Sequence, residues 1–452
     1  MNSQAGRLNG VTEEHVPRVL IVGGGYVGMY TAMRLQRRLR WSKVRITVVD
    51  PRSYMTYQPF LPEAAAGSLE PRHVVVPLRR VLKQSQVITG EVTDIRHADR
   101  VARIVPRVGE PYELRYDVLV VALGSVARTL PIPGLADVGI GFKQVEEAIA
   151  LRNHVLDRLD VATSTADEDV RRRALSFVVV GGGYAGVEAL AELQDMAKDA
   201  LRYYPYLKPH HMRWILVEAT GRILPEVGPE MGVYTIEELR RHGIEVRLDT
   251  RLESCVGGHV VLTDGTELDT DTLIWTAGVK AHPLLGRTDL PLDEKGRLRC
   301  RADLRVEGVE GAWGAGDCAA VPDLTSKVPG ATTGPNAQHA VRQARLLGDN
   351  IAAVLRGREP KNYEHKYVGS VASLGLHKGV AQVYGIKLKG FVAWFMHRTY
   401  HVSRMPTLNR KVRIVMDWTL ALFFRREAVS LGRMHMPRDE FLRAADPERA
   451  GR

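Results

Sequence analysis

Cysteine is nearly absent from this chain. Among 452 residues there are three, Cys255, Cys300 and Cys318, and no two are spaced C-x-x-C. No disulfide framework follows, which fits a reducing compartment. No cluster of His, Cys and acidic residues stands at metal-ligand spacing, so no metal is expected. There is also no run of about 20 apolar residues, the length that a bilayer-crossing helix needs. Met1 to Val16 is polar and lacks the apolar segment of a secretory signal. Negative charge is in deficit: 63 Lys and Arg face 52 Asp and Glu, a formal charge of +11. The pI is near 9.5. Such a balance calls for an anionic partner, yet no nucleic-acid motif accompanies it. The expected partner is an anionic membrane surface, and nucleic acid is not expected.

Glycine, by contrast, is plentiful and falls twice into one pattern. Val19-Leu20-Ile21-Val22 leads into Gly23-Gly24-Gly25-Tyr26-Val27-Gly28. Phe177-Val178-Val179-Val180 leads into Gly181-Gly182-Gly183-Tyr184-Ala185-Gly186. Each is an apolar strand entering G-x-G-x-x-G and then a helical stretch. The glycines permit a tight turn and let the backbone approach a pyrophosphate, which rests on the amides of the helix N-terminus. Each copy also has an acid closing a later strand, Asp50 after Ile46-Thr47-Val48-Val49 and Glu218 after Ile215-Leu216-Val217. Such a carboxylate accepts hydrogen bonds from an adenosine ribose. One glycine motif alone is a weak sign. Two, each with strand, helix and acid in order, point to two bound dinucleotides.

Between and beyond the motifs the pattern is that of an α/β protein. Tyr57-Gln58-Pro59-Phe60-Leu61-Pro62 reads as a loop too rich in proline for a helix. Val87 to Ile104 and Tyr112-Glu113-Leu114 read as an antiparallel excursion within a parallel sheet. Tyr116 to Ala122 is an apolar strand suited to burial on both faces. Thr272 to Gly278 is another late strand, and Ala312 to Ala319 returns the chain to the first unit.

These features together resemble the two-dinucleotide-binding-domain flavoproteins, and within them the type II, non-proton-pumping NADH:quinone dehydrogenases. The resemblance runs from Arg18 to about Pro437. It rests on the two glycine motifs and their acids, on Gly316-Asp317, on Trp275-Thr276-Ala277-Gly278-Val279, and on Ala337-Gln338 with Ala340 and Gln343. A closing passage, Lys389 to Trp394 with His401 and Asp417-Trp418, adds to it. The implied fold is two Rossmann-like domains, the second inserted in the first, with a C-terminal amphipathic-helix membrane-anchoring region. The implied boundaries are a flexible tail over 1–17, an FAD domain over 18–144 and 285–360, and an NAD(H) domain over 145–284. A membrane-associated region follows over 361–437, and a second tail over 438–452.

The resemblance also implies the cofactors, FAD and NADH, and the residues that hold them. For FAD these are Gly23, Gly24, Gly25, Gly28, Asp50, Val92, Ala122, Asp317, Ala337 and Gln338. For the nicotinamide nucleotide they are Gly181, Gly183, Gly186, Glu218 and Gly278. Glu218 favours NADH, because a carboxylate repels the 2′-phosphate of NADPH, although Arg222 four residues on could soften that repulsion. With no paired dithiol, electrons are expected to leave the flavin directly. Two residues are singled out as catalytic. Glu188, in the first turns after the second glycine motif, is implied to handle a proton or orient the nucleotide; the plainer reading is an acid favoured by a helix N-terminal dipole. Gln338 is implied to border a quinone headgroup, whose carbonyl an amide can hydrogen-bond. His339, His377 and His397 are left out, because a lone histidine is more often structural. Cys318 is expected to pack as a small apolar side chain. The chain departs from the family pattern at Leu123, Arg342 and Ala344, beside the implied quinone pocket.

From Lys387 to Arg433 apolar and basic residues interleave. Phe391, Trp394, Phe395 and Val402 approximate one helical stripe. Val412, Val415, Met416, Thr419, Leu422 and Phe423 form another. Lys387, Lys389, Arg398, Arg404, Arg410, Lys411, Arg413, Arg425, Arg426 and Arg433 surround them, opposed by Asp417 and Glu427. This reads as helices lying in a membrane interface; the plainer reading is a core-packing or dimerisation helix pair with a solvated charged face. The expected enzyme is peripheral to the cytoplasmic face of the cell membrane and passes electrons to a membrane quinone, with a homodimer left open. Alternative readings are an NADH-responsive flavoprotein that signals through partner binding, and a reductase of a protein electron acceptor. A sulfide:quinone oxidoreductase is disfavoured by the missing cysteine pair.

Overall fold

The computed structural model describes residues 15–365, 369–424 and 426–430, with positions 438, 441, 442 and 444. Most of the two expected tails, together with Arg425 and Arg433, lies outside the described residues. In chain order, the elements used below begin with β1 (Arg18–Val22), α1 (Tyr26–Arg38), β2 (Arg45–Asp50) and α2 (Leu61–Ala65). Then come β3 (Gln86–Arg96), β4 (Val101–Pro106), β5 (Tyr112–Arg115), β6 (Val118–Val121), β7 (Gly139–Gly141), α3 (Val145–Ser164), β8 (Ser176–Val180) and α4 (Tyr184–Ala200). The middle holds β9 (Arg213–Val217), α5 (Pro229–Arg241), β10 (Ile244–Arg247), β11 (Thr272–Trp275), β12 (Ala312–Gly314) and α6 (Ala337–Val354). The chain closes with β13 (Gly369–Ser373), β14 (Gly379–Val383), β15 (Ile386–Lys389), α7 (Gly390–Arg404) and α8 (Leu408–Phe423).

Two compact units share these elements. One comprises Met1–Met55, Pro77–Val126 and Lys280–Lys366; the other comprises Thr56–Val76, Ala127–Val279 and Tyr367–Arg452.

The first unit is built on a seven-stranded sheet in the order β12-β6-β1-β2-β3-β4-β5. Its first five strands run parallel, with Val19 opposite Ile46 on one side and Val118 on the other. The expected antiparallel excursion extends this sheet at its edge, through β4 and β5. Val19 to Val22 are all buried, as a strand covered on both faces must be. Helices α1 and α6 pack closely because small residues let them. A Cβ on Gly348 would stand 2.7 Å from the Arg34 Cβ. Thr31 Oγ1 donates to the Ala344 carbonyl at 3.2 Å, and Arg34 grips Asp349 with two bonds of 2.8 Å.

The second unit repeats the plan with a five-stranded parallel sheet in the order β7-β11-β8-β9-β10. In both units the strand before the glycine motif is central and the acid-bearing strand is its neighbour. Phe177 on β8 stacks on Trp214 of β9 with ring centroids 4.1 Å apart. This unit also holds the antiparallel sheet β13-β14-β15 and helices α7 and α8. The proline-rich segment Tyr57–Pro62 differs from its sequence reading. Gln58–Phe60 is a 3₁₀ turn that runs into the short helix α2. Pro62 falls in the first turn of α2, where its missing N–H would have had no partner anyway.

Candidate active site

Each glycine motif builds its turn in the same way. In the first unit Gly23 has φ +103°, and a Cβ there would lie 2.4 Å from the Ala122 carbonyl oxygen. In the second, Gly181 has φ +115°, and a Cβ would lie 2.7 Å from Thr276 Oγ1. Only glycine meets both the conformation and the close approach. Gly28 and Gly186 bring each helix against its own turn, since a Cβ would come within 1.8 Å and 2.0 Å of the Gly23 and Gly181 carbonyls. Gly25 and Gly183 are different. Each is the residue that opens its helix, and a Cβ on either would meet none of the described residues within 4 Å. The space above both helix starts is open, and neither first turn holds an acid. Unsatisfied N–H groups facing open space are the arrangement a pyrophosphate needs.

The two acids are fixed by backbone amides. Asp50 accepts from Gly24 N at 2.6 Å and Arg52 N at 2.7 Å. Burial holds its pKa above the usual carboxylate range in spite of those bonds. Glu218 accepts from Gly182 N at 2.7 Å, and from the amide and hydroxyl of Thr220 at 2.8 Å each. Arg222 turns its guanidinium onto the Pro225 carbonyl at 2.5 Å.

Around the first cradle, Ala122 follows β6 directly, and Val92 is buried on β3. Asp317 accepts from Ser125 Oγ at 2.6 Å, and Gly316 N donates to Gln343 Oε1 at 2.7 Å. Cys318 is fully buried, its thiol pushed up to about 11 chiefly by burial. Ala337 and Gln338 open α6, capped by Asn336, whose side chain accepts from Gln338 N at 2.7 Å. Arg342, one turn on, donates to the Gln338 carbonyl at 3.2 Å and approaches its Oε1 at 3.4 Å. In the second unit Gly278 lies just after β11, with φ +93° and open space where a Cβ would be.

Glu188 is buried on α4, and Ser373 N donates to its Oε1 at 2.8 Å. His397, set aside in the sequence, places Nε2 3.2 Å from that same oxygen. His401 stacks edge-on to His397 at 4.5 Å, and burial holds its pKa well below the usual histidine value. No local pattern could have paired Glu188 with His397, because they lie on helices far apart in the chain. Glu192, buried one turn beyond Glu188, belongs to the same cluster, and its spacing from Glu188 is the only sequence signal for it.

The C-terminal stripes are partly corrected. Phe391 and Phe395 of α7 face outward at 57% and 56% exposure, but Trp394 is buried at 7%. It lies under Arg398, whose guanidinium carbon is 4.1 Å from the ring centroid. Arg398 is buried rather than part of a basic rim, and it pairs with Glu63. On α8 the stripe from Val412 to Phe423 is exposed, while Ile414 faces inward. Asp417 turns toward the protein, 2.6 Å from His73 Nδ1. No helix among the described residues is long and apolar enough to cross a membrane.

Known proteins give this geometry its family. The model of the pyridine nucleotide-disulphide oxidoreductases matches residues 17–344. A type II NADH:quinone oxidoreductase of Staphylococcus aureus is 32% identical over 386 residues, covering 84% of this chain and 93% of its own. The chain belongs to this family. A probable NADH dehydrogenase of Dictyostelium discoideum is 28% identical over 421 residues, 91% of each chain. Among solved structures, NDH2 of Plasmodium falciparum in complex with NADH superposes with a TM-score of 0.85 at 19% identity. It covers 92% of this chain and 100% of its own, a likeness of fold. Both glycine turns of this chain are complete.

Proposed function

We propose that this type II NADH:quinone oxidoreductase oxidises NADH at its second glycine cradle and reduces a membrane quinone with FAD held at its first. The observation that carries the reading is the doubled cradle: two helix starts with open space above a bare glycine, each beside a carboxylate fixed by the turn's own amide. FAD, when bound, supplies a carrier that takes a hydride at N5 and gives two electrons to a quinone.

This chain's residues bind and aim. Gly23, Gly24, Gly25 and Gly28 bring backbone to the FAD pyrophosphate, and Asp50 takes the adenosine ribose. Val92, Ala122, Asp317 and Ala337 border the rest of that cofactor. Gly181, Gly183 and Gly186 receive the NADH pyrophosphate, Glu218 its ribose, and Gly278 lets the backbone approach the nicotinamide end. Glu188 orients the nicotinamide or handles a proton there, with His397 against its carboxylate. Gln338 offers an amide to the quinone carbonyl. In this reading 18–144 with 285–360 serve FAD, and 145–284 serves NAD(H).

Helices α7 and α8 lie on the membrane, with Phe391, Phe395, Leu422 and Phe423 entering the headgroup boundary and Lys411 and Arg413 facing anionic lipid. This reading makes the enzyme peripheral to the cytoplasmic face.

The deciding experiment is an anaerobic stopped-flow trace of the purified yellow protein. NADH bleaches the flavin absorbance quickly, and a short-chain quinone analogue restores it quickly. Bleaching that persists after quinone addition would favour a slow NADH-responsive sensor or a protein acceptor. No bleaching would overturn the assignment of the second cradle.

A further inference from the structure

Helix α4 carries a second acid that the reading above leaves without a task. Glu192 lies one helical turn beyond Glu188, so both carboxylates share a face of the helix. It is fully inaccessible to solvent. Strand β13 ends between the two at Ser373, whose backbone N–H donates to Glu188 Oε1 at 2.8 Å and whose hydroxyl meets Glu192 Oε1 at 3.2 Å. The same hydroxyl lies 3.4 Å from the Gly375 carbonyl oxygen.

A serine hydroxyl has one proton to give and lone pairs to receive one. If Glu192 is ionised, that proton serves the carboxylate or Gly375, but not both. If Glu192 is protonated, the acid donates to Ser373 Oγ and the serine donates onward to Gly375. The second oxygen of Glu192 lacks a donor of its own. Among the described residues Oε2 has no hydrogen-bond partner; Arg426 Nη2, itself without one, stands 3.6 Å off, beyond hydrogen-bond reach though close enough to favour the ionised form. A buried carboxylate oxygen without a donor is costly, and a neutral acid avoids much of that cost.

The surrounding charges do not reverse this. Arg426 and Arg398 favour the ionised form, while Glu63 and Asp195 oppose it. Arg398 is engaged by Glu63 at 2.9 Å, and Asp195 accepts from Leu376 N at 2.7 Å. His377 and Lys198 stand near Asp195, with Lys378 near both of them, and His397 lies against Glu188. Burial is the largest effect and pushes Glu192 up to about 7.

We propose that Glu192 is a positioning residue for Glu188: it holds a proton in the resting protein, and losing that proton reorganises Ser373 and changes the charge that Glu188 and His397 face. The inference rests on the reading that Glu188 serves the nicotinamide. It makes the NADH half-reaction sensitive to pH through a group that touches neither substrate nor cofactor.

The test uses the FAD-loaded full chain. Anaerobic flavin reduction by NADH is followed from pH 5.5 to 9, beside the infrared carboxylic-acid band of the same protein. In the native protein the half-reaction changes about fivefold or more across neutral pH, as one ionisation does over two pH units. The acid band fades over the same range. Glu192→Gln mimics the protonated form; it should flatten the profile to less than about twofold and delete the band. Glu192→Asp keeps a titrating group but withdraws it from Ser373, and should move the midpoint by about half a pH unit or more. A native pH profile in both variants, or an acid band that survives in Glu192→Gln, would overturn the proposal. Failure of the underlying reading looks different, because NADH would then not reduce the flavin of the native protein at any pH.

Discussion

Arg398 of α7 lies 2.9 Å from Glu63 of α2, and both are buried, at 8% and 2% exposure. Trp418 of α8 donates its indole N–H to the same Glu63 oxygen at 2.8 Å. His397 against Glu188 and Arg426 against Glu192 complete a set. Each of three buried acids, Glu63, Glu188 and Glu192, faces a basic residue supplied by the C-terminal segment. That segment is therefore part of the core of its unit as well as a surface for other contacts. Removing one partner of a buried pair strands the other charge, at about 3–5 kcal/mol. Arg398→Met should lower the thermal midpoint by several degrees, and Glu63→Gln added to it should recover part of the loss. A single variant that melts like the native protein would show that the pair contributes nothing.

The same contacts decide how membrane binding is tested. Truncation before Lys389 would remove Arg398 and the helices carrying Trp394 and Trp418, so lost pelleting could reflect an unfolded unit. Substitutions on the outward face avoid that. Leu422 and Phe423 are 77% and 78% exposed, and burying such a side chain contributes about 1.5–3 kcal/mol. Leu422→Ser with Phe423→Ser should weaken binding to anionic vesicles by about a hundredfold or more, since each 1.4 kcal/mol is tenfold. NADH-dependent flavin reduction should persist. Flotation with vesicles at low and high salt reads the result, and unchanged flotation would remove α8 from the membrane interface.

What could be read in advance followed locality. The strands, the glycine turns and the acids Asp50 and Glu218 are written in short contiguous stretches, and apolar runs indicate strands buried on both faces. The periodicity of α7 and α8 gives apolar stripes but not the direction each side chain faces, so it places Trp394 on the outward stripe although the residue packs inward. Arg398 looked like one more surface cation for the same reason. Its partner Glu63 lies on the distant helix α2, whose first two residues end the proline-rich stretch that reads as a loop, although proline is permitted in a helix's first turn. The Glu188–His397 contact was hidden likewise, since pairing of distant residues depends on tertiary packing that no window of sequence contains.

Nucleotide choice is a further point of measurement. Glu218 takes its turn amide and both donors of Thr220, which fixes the carboxylate beside the second glycine turn. Arg222 is held on the Pro225 carbonyl. NADH should therefore be preferred over NADPH. Glu218→Ala should lower kcat/KM for NADH by about tenfold or more, the size of a lost charged hydrogen bond. It should leave NADPH oxidation unchanged or improved, because repulsion of a 2′-phosphate is relieved. Steady-state kinetics with both nucleotides check this, and a native protein that uses NADPH as well as NADH would contradict it.

Stability should carry the mark of Glu192. Its carboxyl is held up to about 7 from an ordinary 4.5, mainly by burial. Below the unfolded value both states bind the proton, and the native state suffers no penalty. As pH rises through that value the unfolded chain releases the proton while the native protein keeps it, so stability falls until the native group ionises near 7. For one proton the slope cannot exceed about 1.4 kcal/mol per pH unit. Asp117, lowered to about 2 by Arg18, acts in the opposite sense and at lower pH. The comparison is therefore the difference between variant and native protein. Glu192→Gln cannot ionise, so its thermal midpoint relative to native should rise between pH 5 and 7 and level off above. Parallel midpoints across that window would mean that Glu192 titrates in the folded protein as it does in the unfolded chain.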